Sequence, residues 1–374
     1  VRLSGELSAR YTVWYRVHSA EFGWLGWACD GADAGSAGYG RAVQAVQVAV
    51  LPKGDPAPGD TSTPFVDRSS EPPSVSYRAH VAGIGWQGSV SDGAVAGTTG
   101  QGRALEALSG SVSWYGHGSS SLEVRAHVSN VGWQGWTSGT AGTTGRSLAV
   151  EALQFRLSGE AASSYDVWYR VHCSDYGWLG WAKDGEAAGT EGLGVQAEAL
   201  QAVLVEKGGD APSTGDPAEL SVPSLSLRAH VSGVGWQPAV GNGGTAGTTG
   251  QSRAVEAIAA EVSSPVSGGL SYSAHVSGVG WQDEVSGGAV AGTTGQGRAV
   301  ECVKMRLTGD LSEYYDVWYR AYVQDYGWLG WASDGARAGT TGIGYRVEAL
   351  QVRVLAKGSA APGPTNGAYR DRPL

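Results

Sequence analysis

The chain has 374 residues, enough for two or three ordinary domains, and its 60 glycines, 15 tryptophans and 16 tyrosines favour short strands joined by glycine-rich turns. Its formal net charge of -9 is spread along the chain without a basic stripe, which argues against a nucleic-acid partner. No apolar run approaches the roughly 20 residues needed to span a bilayer, so we expect no membrane insertion. The three cysteines, Cys29, Cys173 and Cys302, share no repeat position and predict neither a disulfide framework nor a metal site.

A tandem repeat organises the whole sequence. A Gly-Trp pair recurs seven times with a period of about 46 residues, and we call its tryptophan the marker tryptophan of each repeat. The marker tryptophans are Trp24, Trp86, Trp133, Trp178, Trp236, Trp281 and Trp328. Repetition of this kind predicts small units that bury their apolar faces against one another.

Two kinds of repeat follow each other in a fixed order of short, short and long. The long repeat carries "VWYRVHSAEFGWLGWACDG" and close variants around Trp24, Trp178 and Trp328, whereas the short repeat carries "RAHVSGVGWQ" and close variants. Three repeats therefore form one module. The predicted order is an orphan long repeat at 1–51, a Pro-rich linker at 52–73, a three-repeat module at 74–205, a second Pro-rich linker at 206–223, a second module at 224–357 and a tail at 358–374.

The orphan repeat is predicted to be the last third of an interrupted module. Its first residues, "VRLSGEL", match "FRLSGEA" at 155–161 and "MRLTGDL" at 305–311, which join a short repeat to a long one. We therefore expect the chain to be part of a longer protein.

Within each repeat, the residue pattern predicts strands. Segments such as "SLSLRAHV" and "RVEALQVRVL" alternate apolar and polar residues, and the Gly-rich stretch "SDGAVAGTTGQGR" at 91–103 predicts a loop. Three such repeats can close around a pseudo-threefold axis and leave no open sheet edge. The predicted fold is all-β, with β-prism-like modules, or alternatively β-trefoils.

The repeat resembles the ChW family, the clostridial hydrophobic repeat with a marker tryptophan. The resemblance rests on "YRAHVAGIGWQGSVSDGAVAGTTGQGRALEAL" at 77–108 and its six relatives, which cover nearly everything up to about residue 355 apart from the linkers. It implies a secreted or surface protein of a Gram-positive bacterium, with non-catalytic repeats that bind polysaccharide or protein. The Asp-Gly pair of the family pattern is absent from the copies at 122–151 and 225–256, which puts any site built on that pair in doubt there.

Tryptophans and aspartates are the candidate ligand-binding residues. A tryptophan present in every repeat is typical of a core position, so the marker tryptophans are predicted to pack inside. The second tryptophan of the long repeats is absent from most short ones and is predicted either to stack on sugars beside the loop or to pack on a neighbouring repeat. The candidates are Trp27, Trp181, Trp331 and Trp136, with Asp30, Asp92, Asp184 and Asp334 of the Asp-Gly loops as acceptors for sugar hydroxyls or ligands for Ca²⁺, against the alternative of plain turn formation.

Histidines and glutamates also recur, and here the pattern favours structural roles. The histidines are His18, His80, His127, His172, His230 and His275, and Tyr322 stands in the seventh repeat, which argues against a metal ligand. The glutamates are Glu106, Glu151, Glu198, Glu256, Glu301 and Glu348, and Gln44 stands in the first repeat, which argues against acid–base catalysis. We predict glutamates satisfied by backbone N–H groups of the Gly-Thr loop or by a preceding arginine such as Arg103 or Arg253.

The sequence predicts a binding protein and not an enzyme. No unique catalytic set stands out from the repeat background, and no cofactor or metal is expected. The first hypothesis is an extracellular, multivalent carbohydrate-binding array whose partners are polysaccharides or glycoprotein glycans. The alternatives are a structural or protein-binding stalk or assembly subunit, in which the orphan repeat docks with another chain, and the non-catalytic part of a larger secreted hydrolase or toxin.

Overall fold

The computed structural model describes residues 1–213 and 215–372, and it is all-β with only three single-turn helices. The orphan repeat and the segment after it contain α1 (Leu7–Arg10), β1 (Tyr11–Ser19), β2 (Gly23–Trp24), β3 (Ala28–Cys29), β4 (Gly35–Ala37), β5 (Val43–Pro52), β6 (Phe65–Asp67) and a 3-10 turn (Arg68–Ser70).

The next three repeats contain β7 (Ser74–Val81), β8 (Gly85–Trp86), β9 (Val90–Ser91), β10 (Ala96–Gly97), β11 (Leu105–Ser113), β12 (Ser120–Val128), β13 (Gly132–Trp133), β14 (Thr140–Gly142), β15 (Val150–Gly159), α2 (Ala161–Ser164), β16 (Tyr165–Cys173), β17 (Gly177–Trp178), β18 (Ala182–Lys183), β19 (Ala188–Glu191), β20 (Ala197–Glu206) and β21 (Glu219–Ser221).

The last three repeats contain β22 (Ser224–Val231), β23 (Gly235–Trp236), β24 (Thr245–Gly247), β25 (Val255–Ser263), β26 (Gly269–Val276), β27 (Gly280–Trp281), β28 (Val285–Ser286), β29 (Ala291–Gly292), β30 (Val300–Thr308), α3 (Leu311–Tyr314), β31 (Tyr315–Val323), β32 (Gly327–Trp328), β33 (Ala332–Ser333), β34 (Ala338–Thr340), β35 (Val347–Ala356) and β36 (Tyr369–Arg370).

Each repeat is built on one antiparallel pair of long strands, its first and its last. In the first short repeat these are β7 and β11, and the short strand β8 folds back on the outer edge of β7. Side chains alternate along β7, so that Val75, Tyr77 and Ala79 point into the core while Arg78 and His80 point outward. The alternation of the sequence thus decides which residues form the core and which form the outer surface.

Three repeats close into a ring because each one lends a short Ala-Gly strand to a neighbour. In the first ring, β14 pairs with β11, β19 pairs with β15, and β10 pairs with β20. The second ring repeats this pattern with β29 on β25, β34 on β30 and β24 on β35. The lent strand needs glycine: Gly97 has φ 107°, and a Cβ there would lie 2.4 Å from the carbonyl oxygen of Glu198.

The orphan repeat has no ring neighbours among the residues that the structure describes. There, its last strand, β5, pairs with β1 alone, and its short strand β4 pairs with β6 alone. A small cluster of Val13, Tyr15 and Ala28 forms its core.

The proline-rich segments do more than connect repeats. Each returns to the long repeat that precedes it and adds one short parallel strand beside the Ala-Gly strand of that repeat. These strands are β6 in the first segment, β21 in the second and β36 in the C-terminal tail. The three segments are therefore partly structured covers of the long repeats.

Candidate ligand-binding surface

The marker tryptophans lie on the outer surface of the sheets, and the prediction that they pack in the core is wrong. Each pairs across a tight hairpin with an outward residue of the first strand, which is a histidine in six repeats, as in Trp86 with His80, and Tyr322 in the seventh. Trp24 is 40% exposed and Trp86 is 36% exposed, and the other five are half-buried. The hairpin register, which places Trp86 opposite an outward residue, forces the indole onto the solvent side.

An arginine two residues before the histidine covers one face of the marker indole. The guanidinium carbon of Arg78 lies 4.5 Å from the centroid of the Trp86 ring, a cation–π distance. The same contact is made by Arg16, Arg125, Arg170, Arg228 and Arg320 in their repeats. In the sixth repeat, Ser273 stands at the arginine position, and Lys304 covers Trp281 at 4.4 Å instead. The sequence carries the signal for this contact in an arginine two residues before the recurring histidine, or before Tyr322 in the seventh repeat.

A β-bulge places a carboxylate beside the histidine. The pairing of the long strands slips by one residue at Glu106, and the carboxylate of this extra residue lies 3.0 Å from Nδ1 of His80. The His80 ring in turn meets the Trp86 indole edge to face, at 5.5 Å between centroids. Five repeats contain this pair, with Nδ1 to carboxylate distances between 3.0 and 3.3 Å.

The partner of the buried glutamate is thus the histidine, and the predicted partners do not hold for most repeats. Arg103 turns away and donates to the carbonyl oxygen of Ala82. Only in the seventh repeat, where Tyr322 replaces the histidine, does an arginine take over: Nη2 of Arg346 lies 2.9 Å from the carboxylate of Glu348. The basic nitrogen nearest the buried carboxylate is thus Nδ1 of histidine in five repeats and a guanidinium nitrogen in the seventh.

The second tryptophan of the long repeats lies on the other side of the same arginine. In the seventh repeat the guanidinium of Arg320 lies 4.5 Å from Trp328 and 4.8 Å from Trp331, so the two indoles enclose it. The pairs Trp24–Trp27, Trp133–Trp136 and Trp178–Trp181 enclose Arg16, Arg125 and Arg170 in the same way. Partial burial lowers the pKa of Arg170 and of Arg320.

The remaining face of the second tryptophan is covered by other parts of the chain. The backbone amide of Trp27 donates to the carbonyl oxygen of Asp60, and that of Trp331 donates to the carbonyl oxygen of Pro364. Gly59 and Gly363 pack against the two indole nitrogens. Trp27 and Trp331 are only 8% and 4% exposed, so these two indoles are packed within the protein, as the alternative to sugar stacking expects of a buried side chain.

The other two second tryptophans are half-buried. Trp136 lies between Arg125 and Arg156, and the guanidinium of Arg156 is 4.2 Å from the Trp136 ring. Beside Trp181, the backbone amide of Gly180 donates to the carbonyl oxygen of Pro217. Both indoles thus serve first as packing partners of an arginine.

The Asp-Gly aspartates hold the loop to the first strand. Asp92 has φ 48° and its Oδ1 accepts from the amide of Val75 at 2.9 Å, while its own amide donates to the carbonyl oxygen of Val75. Asp30, Asp184 and Asp334 make the same paired contact with the equivalent valines. Burial raises the pKa of Asp184 and of Asp334. These contacts correspond to turn formation, the alternative weighed from the sequence, and leave Oδ1 engaged within the protein.

A buried tyrosine completes the Asp-Gly loop. The hydroxyl of Tyr77 donates to the carbonyl oxygen of Ala94, and its counterparts in four other repeats do the same. One of these four is the sixth repeat, in which Gly287 stands at the aspartate position. The two remaining repeats also lack the Asp-Gly pair, and they carry Val124 and Leu227 at the tyrosine position. A buried hydroxyl without an acceptor is costly, so the tyrosine occurs where a loop carbonyl oxygen accepts from it.

The described residues contain no group of three His, Cys, Asp or Glu side chains arranged to hold a metal ion. Burial raises the pKa of the Cys173 and Cys302 thiols to about 12, which removes the thiolate form that a nucleophile requires. Within the described part of the chain, no helix is long and apolar enough to cross a membrane.

Comparison with known proteins identifies the repeat. The family model described as Clostridial hydrophobic W matches seven segments that together make up more than half of the chain: 18–52, 80–109, 127–159, 172–206, 230–263, 275–309 and 322–356. No curated protein and no solved structure matches the chain.

Proposed function

We propose, from the premise that this chain belongs to the Clostridial hydrophobic W (ChW) family of repeats, that it is a multivalent carbohydrate-binding array of a secreted or surface protein. The observation that carries the proposal is the recurrence, seven times, of a tryptophan on the outer surface of the sheets. The array binds and does not catalyse.

The surroundings of the marker tryptophan suit a sugar platform. An indole face matches the C–H face of a pyranose, and a side chain already fixed in place loses little entropy on binding. Arg78 packs on one side of Trp86 and the His80 ring meets it edge to face, so the indole is packed in place before a ligand arrives. Polar groups such as the arginine guanidinium stand beside it for sugar hydroxyls.

Binding strength then comes from the number of platforms. A polysaccharide offers the same unit many times, and linked weak sites raise the overall affinity without any new contact. The ring arrangement places three marker tryptophans in each closed module and one in the orphan repeat.

A glycan array tests the proposal, with bacterial and host polysaccharides as probes. The informative pair of variants changes the same two repeats: Trp178→Ala with Trp328→Ala removes two marker indoles, and Trp181→Ala with Trp331→Ala removes the second indoles. We expect the first double variant to weaken polysaccharide binding about tenfold or more through lost avidity. The second double variant should bind as the intact chain does, at lower stability.

Circular dichroism of both variants establishes that they are folded. Loss of binding only in the folded Trp181, Trp331 variant would place the ligand on the second tryptophans, as the sequence predicted, and contradict the marker platform. An intact chain that binds no polysaccharide would overturn the carbohydrate proposal as a whole.

A protein-binding or assembly role is the second candidate. It is favoured by one observation, the row of exposed valines on the last strand of the orphan repeat.

A further inference from the structure

Three short repeats lack the second tryptophan, and their surface is open where that indole lies in the other four repeats. Three residues after the marker tryptophan, the second, fifth and sixth repeats carry Ser89, Ala239 and Glu284. Each of these residues lines a cleft, with volumes of about 320, 280 and 220 Å³ respectively. The recurring cleft is thus the space that an indole fills elsewhere in the chain.

The arginine beside the cleft loses a second partner in two of these repeats. Where the second tryptophan is present, Nε of the arginine donates to the side-chain oxygen of a glutamine on the facing last strand. In the second and fifth repeats the facing residue is Ser109 or Ala259. Arg78 and Arg228 are exposed, whereas the arginines of the four repeats with a second tryptophan are half-buried. Indole and glutamine are therefore replaced together, and the replacement opens a cation to solvent.

The sixth repeat shows which group such a cleft accepts. Glu284 stands at the tryptophan position, and its Oε2 lies 2.6 Å from Nη2 of Arg306 and accepts from Oγ of Ser271 at 2.8 Å. These hydrogen bonds lower the pKa of the Glu284 carboxyl group, so the ionised form is favoured there. Ser271 is the counterpart of Ser76, which lines the cleft of the second repeat. A carboxylate therefore fits this position of the fold.

The cleft of the second repeat offers one cation among hydroxyl groups, and we call it the Arg78 cleft. The hydroxyl groups that line it belong to Ser76, Ser89, Ser109, Ser111, Ser138 and Thr140. Nε of Arg78 donates to Oγ of Ser109 at 3.1 Å, its one hydrogen bond to the described residues, so both Nη atoms are left for a ligand. Within the described part of the chain, no carboxylate lines this cleft.

We propose that the Arg78 cleft binds a uronic acid unit of a polysaccharide. The carboxylate of the sugar accepts from the two Nη atoms of Arg78, and the sugar hydroxyls exchange hydrogen bonds with the serines. Because the guanidinium lies between the cleft and Trp86, a neighbouring unit of the same polysaccharide can stack on that indole. The inference rests on the proposed carbohydrate-binding function and adds the class of sugar that one repeat selects.

The fifth repeat is a weaker site for the same ligand. Glu261 lines the cleft beside Arg228, and its charge opposes that of an incoming carboxylate. The second repeat is therefore the one in which an acidic sugar meets an uncompensated cation.

The test compares a galacturonic acid oligomer with its methyl ester, which has the same sugar units without the charge. Isothermal titration calorimetry on the full chain measures the dissociation constants of both probes. We expect the acid to bind at least about tenfold more tightly than the ester, because a carboxylate on a guanidinium makes charge-assisted hydrogen bonds. The preference should shrink as added salt screens the charges.

Two variants locate the site, and a third controls for net charge. Arg78→Gln removes the cation from an exposed position and should abolish the preference for the acid. Ser89→Trp with Ser109→Gln recreates the indole and glutamine of the other four repeats, fills the cleft and should abolish the preference as well. Arg146→Gln removes the same charge from an exposed arginine in the Gly-rich loop of the third repeat, and should leave the preference unchanged.

The outcomes separate this inference from the function on which it rests. Equal binding of acid and ester would overturn the assignment of the Arg78 cleft and leave the marker tryptophans as neutral sugar platforms. A preference for the acid that survives in Arg78→Gln would also overturn it, by placing the carboxylate elsewhere. If neither probe binds, the inference is wrong, and the glycan array then decides whether carbohydrate binding is wrong with it.

Discussion

The orphan repeat and the seventh repeat are two copies of the same long unit in different surroundings. In both, an arginine lies between two indoles, at 4.8 and 5.0 Å for Arg16 and at 4.5 and 4.8 Å for Arg320. The last strands differ sharply: Val46 is 55% exposed, whereas Leu350 at the same position is fully buried. A repeat therefore builds its outer surface from its own residues, while its core surface is completed by its neighbours.

The largest expected effect comes from shortening the side chain at this position of the last strand to alanine, in the seventh repeat and in the orphan repeat. Leu350→Ala should destabilise the second module by about 2–5 kcal/mol, because it opens a cavity in a closed core. Val46→Ala should change the free energy of unfolding of the orphan repeat by less than about 0.5 kcal/mol, because the side chain already faces water. Urea unfolding followed by pulsed hydrogen exchange measures each repeat through its own peptides.

Leu200→Ala is the control, since it tests the same position in the first ring and should behave as Leu350→Ala does. Comparable losses for Val46→Ala and Leu350→Ala would mean that the exposed valines of β5 are already covered in solution, and the contrast between the two copies would disappear.

A contact inside one repeat should contribute the same free energy with or without neighbouring repeats. Tyr319→Phe removes the hydrogen bond to the carbonyl oxygen of Ala336, and Tyr15→Phe removes the equivalent bond to Ala32 in the orphan. Each should cost about 0.5–1.5 kcal/mol, the usual net contribution of one hydrogen bond. The same exchange experiment measures both, with Val124→Ala in a repeat without this loop as a packing control. A cost confined to the seventh repeat would show that neighbours stabilise the loop.

The sequence was sufficient for the all-β fold and the repeat family, both of which are confirmed. Strict alternation in segments such as β22 and the recurrence of whole motifs depend only on local order along the chain, which a sequence displays directly.

The sequence did not reveal the surface position of the marker tryptophans. Recurrence in every repeat fits a core residue and also fits a surface cluster, and the side on which Trp86 lies depends on its pairing with His80 across the hairpin. That register follows from the length of the turn, which propensities do not specify. The burial of Trp331 was hidden for a different reason: the chain returns to cover it more than 30 residues later, and proline content gives no sign of such a contact.

The smallest expected effect concerns a charge that the orphan lacks. Asp166 lies within 3.1 Å of Lys183 and 2.5 Å of Lys207, and the hydrogen bond from Lys207 lowers the pKa of its carboxyl group. A carboxylate with a lowered pKa stabilises the folded state above its ordinary value near 4, and this contribution is lost as the pH falls through the lowered pKa. Between pH 5 and pH 3, Asp166→Asn should therefore lose less stability than the original chain, by under about 1 kcal/mol because both lysines are partly exposed.

Thr12 stands at the Asp166 position in the orphan repeat, and Lys53 stands at the Lys207 position and donates to the carbonyl oxygen of Ser8. Introducing Thr12→Asp should give the orphan the same acid sensitivity, measured as the shift of the urea midpoint of its peptides between pH 5 and pH 3. If Thr12→Asp leaves that midpoint equally independent of pH, the ion pair needs the closed ring to form. The outer surface of a repeat would then also depend on its neighbours, and a repeat would not build that surface from its own residues alone.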